Sequence, residues 1–241
     1  GGVGRLLSLS RFLLVAAAPD RFAPKIIAEM RGVLDADGRS PFWDAVGQKF
    51  FDMPFAQADA LSAADKSFIG DLMPKNPLYI PLLPDPVQAV IGRVHEETRP
   101  ALRLLEQEGF RFADEVDIFD AGPMMVAPRE QVRTLAESRV AEVAQVVPAA
   151  GDQAPVLISN DLLDFRACVG AVTPVGDDRV AVPRDVALAL KVRLGDRVRY
   201  VAARPTAVRQ RDDSQGPAHP GAPGGRTPTD TPEPASPEDT P

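Results

Sequence analysis

Gly1-Gly-Val-Gly-Arg-Leu-Leu-Ser-Leu-Ser-Arg-Phe-Leu-Leu-Val-Ala-Ala-Ala-Pro19 opens the chain, and its reading decides the fold. The glycines run directly into an apolar stretch. Leu6, Leu7, Leu9, Phe12, Leu13, Leu14 and Val15 cover more than one face, so a largely buried helix is expected over 4–17. Pro19 ends it. Glycine lets a ligand approach the backbone closely, and the free N–H groups of a first helical turn favour phosphate oxygens. Taken alone this signal is weak, because a glycine pair before a helix is more often just a loop. A dinucleotide fingerprint would need glycine where Leu7 stands and a strand before it; a Walker A loop would need Gly-Lys-Ser/Thr. Neither pattern is met.

Outward from this helix, Lys25-Ile-Ile-Ala-Glu-Met-Arg31 reads as a strand closed by Gly32. Ser40-Pro41 has the form of an N-cap and first helical residue, opening a helix through Phe42, Trp43, Val46 and Phe50. Short helices are expected near 56–61 and 64–72, followed by an extended loop through Pro74, Pro77, Pro81 and Pro84. Asp85-Pro86 starts a helix reaching Val94. Thr98–Glu108 is a further helix, with Pro100 in its first turn and Gly109 as its stop. Phe110–Phe112 and Val116–Phe119 read as strands. Beyond Gly122, short apolar runs alternate with turn residues. Strands are expected over 140–147, 155–159, 165–172, 179–182 and 196–202, with a helix over 183–191.

Composition bounds the function. The 241 residues carry a net charge of -7, which argues against nucleic acid or an anionic membrane surface as partner. Cys168 is the single cysteine, so no internal disulfide forms and a reducing, cytoplasmic setting is the simpler reading. Within a strand-like run it reads as a buried structural thiol. No stretch of about 18 apolar residues suggests a transmembrane helix, and no His/Cys/carboxylate cluster has metal-ligand spacing. From Pro205 to Pro241 the chain holds 9 of its 25 prolines and almost no large apolar residue. Such a tail cannot offset its ordering entropy and is expected to be disordered.

The glycine pair before a helix resembles the pyrophosphate loop of GCN5-related acyltransferases, in which Arg or Gln, two residues, Gly, one residue and Gly or Ala precede a helix. Here the Gly-x-Gly and the helix are present, and the Arg or Gln would fall before residue 1. The helix Pro100-Ala-Leu-Arg-Leu-Leu-Glu-Gln-Glu-Gly-Phe110 fits the Ala-x-x-Leu-x-x-x-x-Gly-Phe form that lies beside the CoA arm in that fold. Any amphipathic helix with a Gly stop could read the same way. The order of loop, helix, strand, helix and strands is the stronger signal.

A narrower resemblance follows. Ala28-Glu-Met-Arg-Gly-Val-Leu-Asp35, Ser40-Pro-Phe-Trp-Asp-Ala-Val-Gly47, Lys49-Phe-Phe51, Leu72-Met-Pro-Lys75, Val90-Ile-Gly-Arg-Val-His95, Leu105-Glu-Gln-Glu-Gly-Phe-Arg111 and Asp117-Ile-Phe-Asp120 are similar to the arginine N-succinyltransferase family. Weaker similarity continues through Ser138-Arg139, Phe165-Arg166 and Gly195-Asp-Arg-Val198, so it covers about 1–202. The resemblance implies an α/β (α+β) chain. A partial GCN5-related acyltransferase domain would span 1–121, a small β-rich domain 122–203 and a disordered Pro-rich tail 204–241. It implies transfer of succinyl from succinyl-CoA to the α-amino group of L-arginine, in arginine catabolism, by a homo- or hetero-oligomer without a metal. It assigns His95 as catalytic proton donor and Gly2 and Gly4 as CoA-binding. The only other histidine, His219, lies in the tail, and histidine is readily poised for proton transfer near neutral pH. Without the resemblance a lone histidine would read as an ordinary core or surface residue. Glu96 follows His95 where the family commonly has proline.

Glu29, Asp117 and Asp120 are candidates for the guanidinium by charge alone, and each reads more readily as a structural carboxylate. Family members also carry a long portion before the glycine loop, so an N-terminally truncated chain of impaired activity is expected, with an uncovered strand edge at 25–31. Two alternatives remain open at this point: a non-catalytic subunit acting through the β-rich domain, and a related acyltransferase using ornithine or another acyl-CoA.

Overall fold

The structure is a computed structural model that describes residues 2–149 and 151–205. The expected tail therefore lies, from residue 206 on, outside the described residues. The chain is a mixed α/β protein with two sheets.

Helix α1 (Gly2–Ala17) buries Leu9, Phe12 and Leu13, spaced three and four apart on one face. Its first turns are more open than its composition implies, with Val3 70% and Leu7 67% exposed. Strand β1 (Lys25–Glu29) follows. A π-helical turn at Trp43–Gly47 runs into α2 (Gln48–Phe51), with α3 (Phe55–Ala64) and α4 (Ser67–Leu72) beyond it. Ser40 acts as the expected cap, its Oγ accepting from the Trp43 amide at 3.1 Å and donating to the Phe119 carbonyl at 3.0 Å. Trp43 is fully buried among Phe51, Phe55 and Phe119, and its indole N–H donates to the Met53 carbonyl.

Helix α5 covers only Asp85–Gln88, short of the expected Val94. Gly92 takes φ of 72°, which leaves the right-handed helix, and its amide donates to the Ala121 carbonyl. Helix α6 (Arg99–Gln107) ends as expected before Gly109. One strand, β2 (Arg111–Val116), stands where two were expected. A register shift between Phe112 and Val116, with Asp114 at φ of 58°, carries it through its irregular middle. Strand β3 (Pro123–Pro128) has no counterpart in the sequence reading. It is proline-bounded and lacks alternation, being buried along almost its whole length rather than on one face only. The first sheet has the order β1-β3-β2, all antiparallel, so it takes in residues beyond Ala121.

Helix α7 (Arg133–Glu137) leads into a second sheet built from β4 (Arg139–Val147), β5 (Val156–Asn160), β6 (Ala167–Gly170), β7 (Thr173–Pro174), β8 (Arg179–Pro183) and, after α8 (Arg184–Leu190), β9 (Arg197–Ala202). Its order is β6-β5-β9-β4-β8-β7, with β4 and β8 parallel. The strand expected over 165–172 is the shorter β6 at one edge of this sheet, and the next strand in the chain, β7, stands at the opposite edge. One buried cluster joins Leu9, Phe12 and Leu13 of α1 to Met30, Leu105, Phe110 and Met125 and also to Leu157 and Val201 of the second sheet.

Candidate functional site

His95 sits in the loop between α5 and α6, and backbone contacts fix that loop from two sides. The His95 amide donates to the Arg31 carbonyl at 2.8 Å, just past the end of β1. The Gly92 amide donates to the Ala121 carbonyl at 2.9 Å, in the turn between β2 and β3. His95 then caps the short 3-10 turn Glu96–Thr98: its carbonyl accepts from the Thr98 amide and hydroxyl, each at 2.9 Å.

The imidazole is 23% exposed, open enough to meet a ligand and covered enough to be oriented. Its Nδ1 accepts from the Glu97 amide at 3.3 Å, so the neutral ring carries its proton on Nε2. The Glu97 carboxylate stands 3.9 Å from the same Nδ1. That contact suits the charged ring, in which Nδ1 is a donor. For the neutral ring the amide bond decides, because the carboxylate is 83% exposed and beyond hydrogen-bond distance.

Gly2 and Gly4 lie in the first turn of α1 and not in a loop before it. No described atom lies within 4 Å of a Cβ built on either residue, so nothing in the described protein requires glycine there. Gly4, with Arg5 and Ser8, forms one wall of a groove of about 420 Å³. The opposite wall is Glu97, Pro100, Ala101, Arg103 and Leu104, at the start of α6. The first turn of α1 and the segment just after His95 thus share one groove. Gly2 is not among its lining residues.

Two further cavities flank the end of β1. One, of about 530 Å³, is mostly apolar and lies between α1 (Leu9, Phe12), β1 (Ile26, Ala28) and α6 (Leu104, Leu105). The other, of about 610 Å³, is bounded by Phe55, Ile69 and Phe119 and carries Glu29, Asp59, Asp117 and Asp120 with Arg31 and Lys66. Glu29 and Met30 line both. The three carboxylates considered from sequence are therefore brought together in one cavity.

Asp120 differs from the other two. It is 9% exposed, and its oxygens accept from the Gly32 amide at 2.7 Å and the Gly122 amide at 2.8 Å. Burial pushes its carboxyl above the ordinary value, and the two amides pull the other way. The sequence reading missed the roles of the Arg31 and Ala121 carbonyls and of the Glu97 amide. Backbone groups leave no residue-type signal; the nearest hint is the glycine beside each of Arg31 and Ala121. Cys168 is half-buried in β6, and burial raises its thiol to about 11, so it is a poor nucleophile at neutral pH. Among the described residues there is no cluster of metal-ligating side chains and no helix long and apolar enough to cross a membrane.

Residues 1–134 match the family model described as "Arginine N-succinyltransferase beta subunit", and residues 139–202 match its C-terminal domain model. The chain is 45% identical over 201 residues to the arginine N-succinyltransferase of Escherichia coli (strain 55989 / EAEC). It is 46% identical over 202 residues to that of Salmonella paratyphi B. Each alignment takes 83% of this chain and 58% of the relative, so the chain spans a little over half the length of these curated relatives. Among solved structures it is similar to arginine/ornithine succinyltransferase subunit AI from Pseudomonas aeruginosa. The TM-score is 0.72 at 37% identity, over 82% of this chain and 57% of that one.

Proposed function

The chain belongs to the arginine N-succinyltransferase family, and from that premise we propose that it takes part in transfer of a succinyl group from succinyl-CoA to the α-amino group of L-arginine. The observation that carries this reading is the groove shared by the first turn of α1 and the residues following His95. Its α1 side offers free backbone N–H groups and an uncrowded Gly4, with Arg5 and Arg103 nearby, which suits a diphosphate. Gly2, in the same first turn though outside the groove's lining, is proposed to add its backbone N–H to that surface. Its α6 side begins at Glu97, two residues after His95. The cavity holding Glu29, Asp59 and Asp117 has the charge to receive the amino-acid guanidinium.

In the proposed step the neutral α-amine attacks the thioester carbonyl carbon. The C–S bond then breaks, and the charged His95 ring gives its Nε2 proton to the departing thiolate, leaving a neutral ring protonated on Nδ1, toward the Glu97 carboxylate. The proton lost by the acylated nitrogen returns to Nε2 and restores the charged ring. No metal enters the reading. The matched descriptions, "beta subunit" and "subunit AI", support a homo- or hetero-oligomeric assembly, and a cytoplasmic setting is part of the same proposal.

A thiol-release assay tests the proposal, comparing succinyl-CoA with acetyl-CoA and arginine with ornithine. Ornithine belongs in the comparison because the solved relative is described as an arginine/ornithine enzyme. His95→Ala is expected to lower turnover about 10²- to 10⁴-fold while succinyl-CoA binding persists. Near-normal turnover would remove His95 from the chemistry.

A further inference from the structure

We propose that Asp120 is the positioning residue for His95, acting through two backbone links rather than by touching substrate. This rests on the reading of His95 as proton donor.

The argument is one of connectivity. Each carboxylate oxygen of Asp120 holds one amide: Oδ2 the Gly32 amide, Oδ1 the Gly122 amide. The residue before each of these glycines supplies the carbonyl that fixes the histidine loop. The Arg31 carbonyl receives the His95 amide, and the Ala121 carbonyl receives the Gly92 amide. In each case the peptide unit gripped by Asp120 and the peptide unit gripping the loop are one and the same: 31–32 on one side, 121–122 on the other. A peptide is planar, so fixing its N–H fixes its C=O. One carboxylate therefore sets the direction of both carbonyls.

The surroundings leave little room for another arrangement. A Cβ on Gly32 would fall 2.1 Å from the Asp120 carbonyl oxygen, and one on Gly122 would fall 2.0 Å from the Met30 carbonyl oxygen. The two backbones meet with no side chain between them. Ala121 holds φ of 56° while fully buried, a conformation an L-residue keeps only where its surroundings impose it. Asp120 itself is too buried to be a free ligand group, and both of its oxygens already have partners. It shares the acidic cavity with Asp117 and Glu29, but its geometry separates it from them.

The test uses the full chain and Asp120→Asn, which keeps the size of the side chain and one acceptor oxygen but turns the other position into a donor facing an amide. The first readout is the imidazole ¹⁵N spectrum, with His95 distinguished from His219 by a His219→Gln variant. The Nδ1 signal of His95 is expected to move as its bond from the Glu97 amide is lost, and that of His219 to stay. The second readout is kinetic. Turnover is expected to fall about 10- to 100-fold with the KM for succinyl-CoA held. In a His95→Ala background the same substitution is expected to cost little, as for two residues acting through one path. An unmoved His95 signal, or an equal loss in both backgrounds, overturns the proposal. If no form of the chain transfers succinyl, the transferase reading fails and the imidazole spectrum still decides for or against Asp120. Should Asp120→Asn not fold, amide exchange in the unaltered chain takes its place. The amides of Gly32, Gly92, His95 and Gly122 are expected to exchange as one protected unit, and independent exchange rates would overturn the proposal.

Discussion

His95 is held by groups that are mostly not side chains. The Glu97 amide fixes the tautomer of the neutral ring at rest, and the Arg31 carbonyl fixes its backbone. Glycines divide into two kinds at this scale. Gly122 is required by packing: Gly122→Ala forces a Cβ into the Met30 carbonyl and is expected to cost about 1–3 kcal/mol, read as a lower midpoint in urea unfolding. Gly4 is not required by packing. Gly4→Ala is expected to leave stability unchanged or raise it by up to about 1 kcal/mol through helix propensity, while weakening succinyl-CoA binding by calorimetry. A loss of stability with unchanged binding would assign Gly4 a structural role instead. Sequence alone separates these glycines poorly, since the distinction lies in which backbone passes nearby.

Among the elements, α1 joins the parts of the core. Leu13 is fully buried between the two sheets, and Leu13→Ala is expected to cost about 2–5 kcal/mol. Leu7, one turn and a half earlier, is largely exposed, and Leu7→Ala is expected to change stability by no more than about 0.5 kcal/mol. Equal losses at the two positions would contradict this division of the helix. Composition marks the stretch as apolar throughout, so the sequence reading expects burial all along it. Only the neighbours decide that burial begins near Leu9. The same logic explains α5. The run to Val94 looks helical by pattern, yet Gly92 turns out of the helix because the Ala121 carbonyl offers its amide a bond elsewhere.

At the scale of the whole molecule, a buried ion pair ties the end of α6 to the start of α7 and the last strand. Glu108, fully buried, accepts from Arg133 at 3.0 and 2.7 Å and from the Thr134 amide at 2.8 Å; Arg133 also reaches the Ala202 carbonyl at 3.4 Å. Arg133→Ala leaves that carboxylate buried and without its cation, and is expected to cost about 3–5 kcal/mol. Arg197→Ala, which removes a largely exposed partner of Asp161, is expected to cost less than about 1 kcal/mol; chemical denaturation of both variants checks the contrast.

The amino-acid order by itself determined the family, the mixed α/β class, most helices and strands, and His95 as the candidate. These follow from local patterns: apolar spacing, caps, glycine stops and ordered motif blocks. Only the tertiary structure decided that β3 is the middle strand of the first sheet. It alone decided that β6 and β7, consecutive in the chain, stand at opposite edges of the second, that Gly4 and Glu97 face one groove, and that Asp120 grips the two peptides holding the histidine loop. Each of these depends on residues far apart in the chain coming within hydrogen-bond or packing distance, and no local pattern encodes which distant backbone group will be there.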